Sequence, residues 1–91
     1  MAKAKILVVD DDNDFVFYTK TILEQNGYEV ISASSGSHGK AVLAREKPEL
    51  VILDIIMSSV LDGLAMSRFM KEDQAFKDIP IVMVTSIANT D

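Results

Sequence analysis

The chain has 91 residues, 48% of them hydrophobic and 25% charged, with a net charge of −5 and no cysteine. That length allows one domain with a modest core. The acidic balance argues against a nucleic-acid or anionic-membrane surface, which takes a basic patch, and the lack of cysteine excludes disulfides, thiolate chemistry and Cys-based zinc sites. No apolar run approaches the ~18 residues of a membrane span. The basic start, Met1 to Lys5, precedes an apolar stretch too short for a secretory signal. The expected setting is therefore the cytoplasm, with no membrane association.

Ile6-Leu7-Val8-Val9 is a continuous apolar run, the pattern of a strand buried on both faces. It ends in Asp10-Asp11-Asp12. Two readings of these carboxylates stay open. One is a solvated turn that puts negative charge at a helix N-terminus, where the macrodipole favours it. The other is a cation site. Open parallel α/β sheets place ligands beyond the carboxyl ends of their strands, and this position favours the second. Asn13 reads as the N-cap of a helix, with Asp14 in its first turn. Phe15, Tyr18, Thr19, Ile22 and Leu23 recur at helical spacing and predict an amphipathic helix with a core-facing stripe. Gly27 supplies its stop.

Val30-Ile31-Ser32-Ala33 is a more polar strand, suited to a sheet edge. Ser34-Ser35-Gly36 turns into a second helix carrying Ala41, Val42 and Leu43, whose first turn Gly39 weakens. His38, the only histidine, has no constellation around it in the sequence and reads as a surface residue. Pro48 closes this helix. Leu50-Val51-Ile52-Leu53-Asp54 is then four apolar residues running into one carboxylate, a buried strand with an ionisable group at its C-terminal end. Asp62 and Gly63 suit the entry to a third helix, with Leu64, Ala65, Phe69 and Met70 as its apolar stripe and the methionines as gap-filling core. Lys71 to Asp78 reads as a polar loop. Ile79 to Val84 is the fourth strand, with Pro80 tolerable only at its beginning, and it ends in Thr85-Ser86.

The order β-α-β-α-β-α-β predicts an α/β fold with an open parallel sheet, which gathers Asp10, Asp11, Asp54 and Thr85 on one rim. At an effective dielectric near 20, each close carboxylate pair costs about 3–4 kcal/mol. A fold that assembles them raises a carboxylate pKa or binds a cation. Mg²⁺ suits such a site, because it takes one or two carboxylates, keeps waters and accepts phosphate oxygens. A carboxylate beside it can act as a nucleophile and form an aspartyl-phosphate, with the Thr85 hydroxyl donating to a phosphoryl oxygen. No P-loop, nucleophile elbow or dinucleotide fingerprint is present.

Three motifs in order, Ile6 to Asp12, Leu53-Asp54 with Met57 and Asp62-Gly63 following, and Pro80 to Ser86, resemble the receiver domain of bacterial two-component response regulators. The resemblance implies a flavodoxin-like open parallel sheet of strand order 2-1-3-4 with three helices. It implies Asp54 as the phosphoacceptor, and Asp10 and Asp11 as the acidic pair holding Mg²⁺, with Asp11 the direct ligand. The backbone carbonyl of Ile56 is a further ligand, together with Asp54 itself, and Thr85 is the switch hydroxyl. The phosphoryl donor is a phosphohistidine on a sensor histidine kinase or a histidine phosphotransfer protein. Any catalysis would be confined to the chain's own phosphorylation and dephosphorylation. Ile56 has an apolar side chain that cannot orient water, so slow self-hydrolysis is expected relative to Ile56→Glu or Ile56→Asn.

The sequence departs from the family in two places. Ser58 stands where proline usually follows the methionine, and Ser58-Ser59-Val60-Leu61 carries one extra residue. Family members also continue through a fourth helix, a fifth strand ending in a lysine, and a final helix. The expectation is therefore a single partial receiver domain over residues 1–91 without those elements, or a piece of a longer regulator. The fourth strand then becomes an exposed edge, and one alternating set among Val51, Leu53, Ile81, Val82, Met83 and Val84 is expected to face water, which favours self-association. Two functions stay open: a Mg²⁺-dependent phosphoacceptor, and a truncated receiver that is not phosphorylated and acts as an interaction or dimerisation module. A metal-dependent phosphatase acting on other substrates lacks the extra acid/base residue it would need.

Overall fold

The computed structural model describes residues 3–54 and 60–84, with the side chains of residues 60–62 outside that description. Among them, β1 (Lys5–Val9), β2 (Glu29–Ala33), β3 (Leu50–Asp54) and β4 (Ile81–Val84) form one sheet in the order β2-β1-β3-β4. All three pairings are parallel. The connections are α1 (Asn13–Gln25), α2 (Gly36–Glu46) and α3 (Val60–Glu72). The architecture is the open parallel sheet with three helices expected from the sequence. β1 and β3 are central because they are apolar on both faces, whereas the more polar β2 takes an edge.

The sheet divides two unequal cores. On the α2/α3 side, Leu7, Val9, Ala33, Val51 and Leu53 pack with Val42, Leu43, Met66, Met70 and Phe76. On the α1 side, Ile6, Val8 and Val30 are the buried residues among those described, with Phe15, Val16, Leu23, Leu50 and Ile52 half-buried around them. Met66 and Met70 fill the larger core as expected, while Met83 is exposed.

Several local expectations are corrected. Asp12, not Asn13, caps α1: its side chain accepts from the Asp14 and Phe15 N–H groups, and Asn13 is the first helical residue. The stripe on α1 is narrower than its spacing suggests. Phe15 and Leu23 face the sheet, joined by Val16, but Tyr18 is 65% and Ile22 58% exposed because they lie on the flank of that face. Asp62 and Gly63 fall inside α3, which begins at Val60, and not at its entry. The stretch after α3 is not wholly polar loop. Phe76 is buried in it, with its ring 5.9 Å from that of Phe69, and Asp73 accepts from the Ala75 N–H and, through its carbonyl, from Phe76 and Lys77.

Val51 and Leu53 do not face water; they point into the α2/α3 core, and the exposed pair is Val82 and Met83 on the outer strand. β4 begins one residue after Pro80, whose carbonyl accepts from the Val51 N–H. Gly39, read as a weak point in α2, is a close-approach position. A Cβ there would lie 2.7 Å from Met66 Sδ and 3.3 Å from Val9 Cγ2, so its lack of a side chain lets α3 pack against α2. His38 is exposed.

Candidate functional site

β1 and β3 are neighbours in register, with Val9 opposite Leu53, so the residues just beyond them come side by side. From these two strands the chain goes on to helices on opposite faces, to α1 after β1 and to α3 after β3. Such a switch point forms a crevice at the C-terminal rim of an open sheet. Asp10 leaves the end of β1, and its N–H donates to the Ala33 carbonyl at 3.0 Å, which extends the β1/β2 pairing by one residue. Asp54 is the last residue of β3.

Asp10, Asp11 and Asp54 each direct a carboxylate oxygen to one place, and these atoms lie within 4.8 Å of one another. Asp10 is 1% and Asp54 0% exposed, while Asp11 faces solvent. Burial pushes the Asp10 carboxyl up to about 6, and the nearby Asp54 and Asp11 charges add to that. The Asp12 N–H, which donates to Asp10 Oδ1 at 2.9 Å, opposes it. At Asp10 the repulsion expected from the acidic run adds to the larger effect of burial.

The residues fit a small hard cation. Asp10 Oδ2 is buried and accepts no hydrogen bond from the described residues, so it has a lone-pair site without a donor. The donor set is all oxygen and all carboxylate, and one of its members opens to solvent, as an ion that keeps several waters requires. Among the described residues no other cluster of three metal-binding side chains is found. Thr85 and Ile56, expected at this rim from the sequence, lie outside the described residues, as do Met57 and Ser58. Sequence reasoning overlooked Asp12. It reads as one more turn carboxylate, yet it carries the α1 cap and supplies the N–H that holds Asp10. The signal was present, since Asp and Asn are equally good caps and stand next to each other here.

No described helix is long and apolar enough to cross a membrane. The sequence profile of the Response regulator receiver domain matches residues 6–91. A ycf27 protein of Porphyridium aerugineum is 37% identical over 89 residues, covering 98% of this chain and 35% of that protein. Protein PilH of Pseudomonas aeruginosa is 35% identical over 83 residues, covering 91% of this chain and 68% of that protein. The chain thus spans about a third of the first relative's length and two-thirds of the second's. Among solved structures, the N-terminal domain of a response regulator receiver protein from Methanoculleus marisnigri superposes with a TM-score of 0.86 at 39% identity, over 98% of this chain and 72% of that one.

Proposed function

The chain belongs to the response regulator receiver domains of two-component signalling, and we propose that it is a phosphoacceptor in which Asp54 takes a phosphoryl group from the phosphohistidine of a sensor histidine kinase or histidine phosphotransfer protein. The single observation that carries this reading is the convergence of Asp10, Asp11 and Asp54 on one point at the sheet rim. An Asp54 carboxylate oxygen attacks phosphorus, the P–N bond to the donor imidazole breaks with its electron pair leaving on nitrogen, and an acyl-phosphate O–P bond forms. β3 ends at Asp54, so its pairing with β1 and β4 fixes where the nucleophile sits at the sheet rim.

Asp11 and Asp10, with the Ile56 carbonyl, would hold Mg²⁺ beside Asp54. When bound, the ion supplies positive charge for the oxygens of the transferring group. Asp11 is the exposed member and the direct ligand. Asp10 is the buried member, and its Oδ2 accepts no hydrogen bond from the described residues. Thr85 is the hydroxyl that follows the phosphoryl group. The setting is cytoplasmic, and signalling requires no contact of this chain with nucleic acid. The experiment is incubation with acetyl phosphate and Mg²⁺, followed by intact mass. A phosphoryl adduct that disappears with EDTA and in Asp54→Asn is expected; no adduct on the native chain would overturn the reading.

A second reading, self-association, is favoured by a separate observation. The outer strand β4 is entirely apolar, and its Val82 is 46% and Met83 43% exposed. An uncharged edge of this kind pairs with other strands unless a charge interrupts it. Sedimentation is expected to show dimers or larger species for the native chain and a shift to monomer for Val82→Lys. A native chain that stays monomeric at high micromolar concentration would remove this reading.

A further inference from the structure

Asp12 sits between the acidic cluster and α1 and joins them by two sets of bonds. Its side-chain oxygen accepts from the Asp14 N–H at 2.9 Å and the Phe15 N–H at 3.3 Å. Its carbonyl accepts from the Val16 N–H at 3.1 Å, and its own N–H donates to Asp10 Oδ1 at 2.9 Å. The cap fixes the Asp12 peptide against the helix end, and that peptide aims its N–H at Asp10. Asp10 is already fixed from the other side by the bond from its N–H to Ala33. Held through Oδ1, its carboxylate presents Oδ2, which is buried and accepts no hydrogen bond from the described residues. A buried carboxylate oxygen without a donor is costly, and it fits a place where a cation is expected. Asp12 is not among the carboxylates whose oxygens converge there.

We propose that Asp12 is a positioning residue for the divalent cation of this site: by capping α1 with its side chain it locks the amide that orients the Asp10 carboxylate, without itself binding the ion. This rests on reading the site as a Mg²⁺-dependent phosphoacceptor. The proposal separates two properties of Asp12, its capping and its charge. Asparagine caps a helix as well as aspartate but carries no charge, whereas alanine has neither the cap nor the charge.

The test is Mg²⁺ titration of the full chain, followed by amide chemical shifts at Asp10 and Asp11, for the native protein, Asp12→Ala, Asp12→Asn and Gly27→Ala. Gly27, at φ +91° just past the other end of α1, is a position where alanine strains the same helix far from the cluster. Asp12→Ala is expected to weaken Mg²⁺ binding by about tenfold, the low end for groups that orient metal ligands. Asp12→Asn is expected to stay within about threefold of native, the screened effect of one exposed charge. Gly27→Ala is expected to lower the melting temperature without changing Mg²⁺ affinity. The proposal is overturned if Asp12→Asn loses as much affinity as Asp12→Ala, if Asp12→Ala loses none, or if Gly27→Ala loses as much. A native chain that binds no Mg²⁺ overturns the underlying reading of the site and this proposal with it, a result distinct from the other three.

Discussion

Asp10→Asn should make the metal-free chain more stable at neutral pH while removing its response to Mg²⁺. The Asp10 carboxyl titrates at about 6 in the folded chain against 3.8 in the unfolded one. A folded value above the unfolded value gives stability that is complete below about pH 4 and lost as pH rises through about 6. At ~1.4 kcal/mol per unit, the loss at pH 7 is on the order of 3 kcal/mol. Asparagine keeps the acceptor for the Asp12 N–H and removes the buried charge, so the variant avoids this loss. A domain of this size shifts by ~4–8 °C per kcal/mol, so a gain of roughly 12–24 °C is expected near pH 7.5 in EDTA. The gain should shrink towards zero near pH 4, where native Asp10 is already protonated. Thermal unfolding followed by circular dichroism across that range is the assay. Glu46, whose carboxyl is held low by Lys5 and Arg45, loses stability in acid in both proteins and cancels in the difference. A variant no more stable than native at neutral pH, or one whose advantage persists unchanged in acid, would refute the reasoning. In saturating Mg²⁺ the order should reverse, because only the native chain binds the ion well.

Gly39→Ala improves helix propensity by ~1 kcal/mol, but it places a Cβ 2.7 Å from Met66 Sδ within a side chain that is fully buried. A net destabilisation of about 1 kcal/mol is expected from chemical denaturation, and Met66→Leu should relieve part of it in the double variant; simple additivity would refute the contact. Glu46→Gln keeps an oxygen that can accept from Lys5 Nζ, 3.0 Å away, but removes the negative charge of the pair. It should lower the melting temperature slightly in low salt and not at all in ~1 M NaCl, where surface pairs are screened; a salt-independent loss would point to packing instead.

β1 and β3 were legible because a strand covered on both faces leaves an unbroken apolar run, and β4 has an equally unbroken run although its Val82 and Met83 are exposed. Asp10 and Asp54 were legible for the same reason: each is the first charge after such a run, and parallel pairing brings run ends together. What could not be read depends on distances between elements. Asp12 and Asn13 are equivalent caps in isolation, and the choice between them is made by where Asp10 needs an N–H donor. Phe76 is a lone apolar residue in a polar stretch, so no periodicity marks it, and its burial shows only once the larger core and the Phe69 ring are placed beside it. Gly39 looks like a helix defect until Met66 is placed opposite it. Tyr18 and Ile22 match a helical repeat, but a helix on one sheet face buries a narrower arc than its apolar residues span.

The unequal cores bear on how the site would work. α2 and α3 close a continuous core, whereas α1 has no fully buried residue and rests on the sheet through Phe15, Val16 and Leu23. The Asp12 turn ties its N-terminal end and runs directly into Asp10. Local stability follows buried apolar contact, so α1 should open at a lower free energy than α2. A cation that fixes Asp10 and Asp11 fixes the same turn, and mass action then stabilises the docked helix against its opened form. Hydrogen exchange should therefore show α1 amides exchanging faster than those of α2 in EDTA. Mg²⁺ should slow exchange in α1, most strongly near Val16, while leaving the α2 amides of Val42 and Leu43 almost unchanged. Equal protection of both helices by Mg²⁺ would mean that the ion stabilises the fold only as a whole, and that the Asp10–Asp12 turn is not the hinge between the site and its first helix.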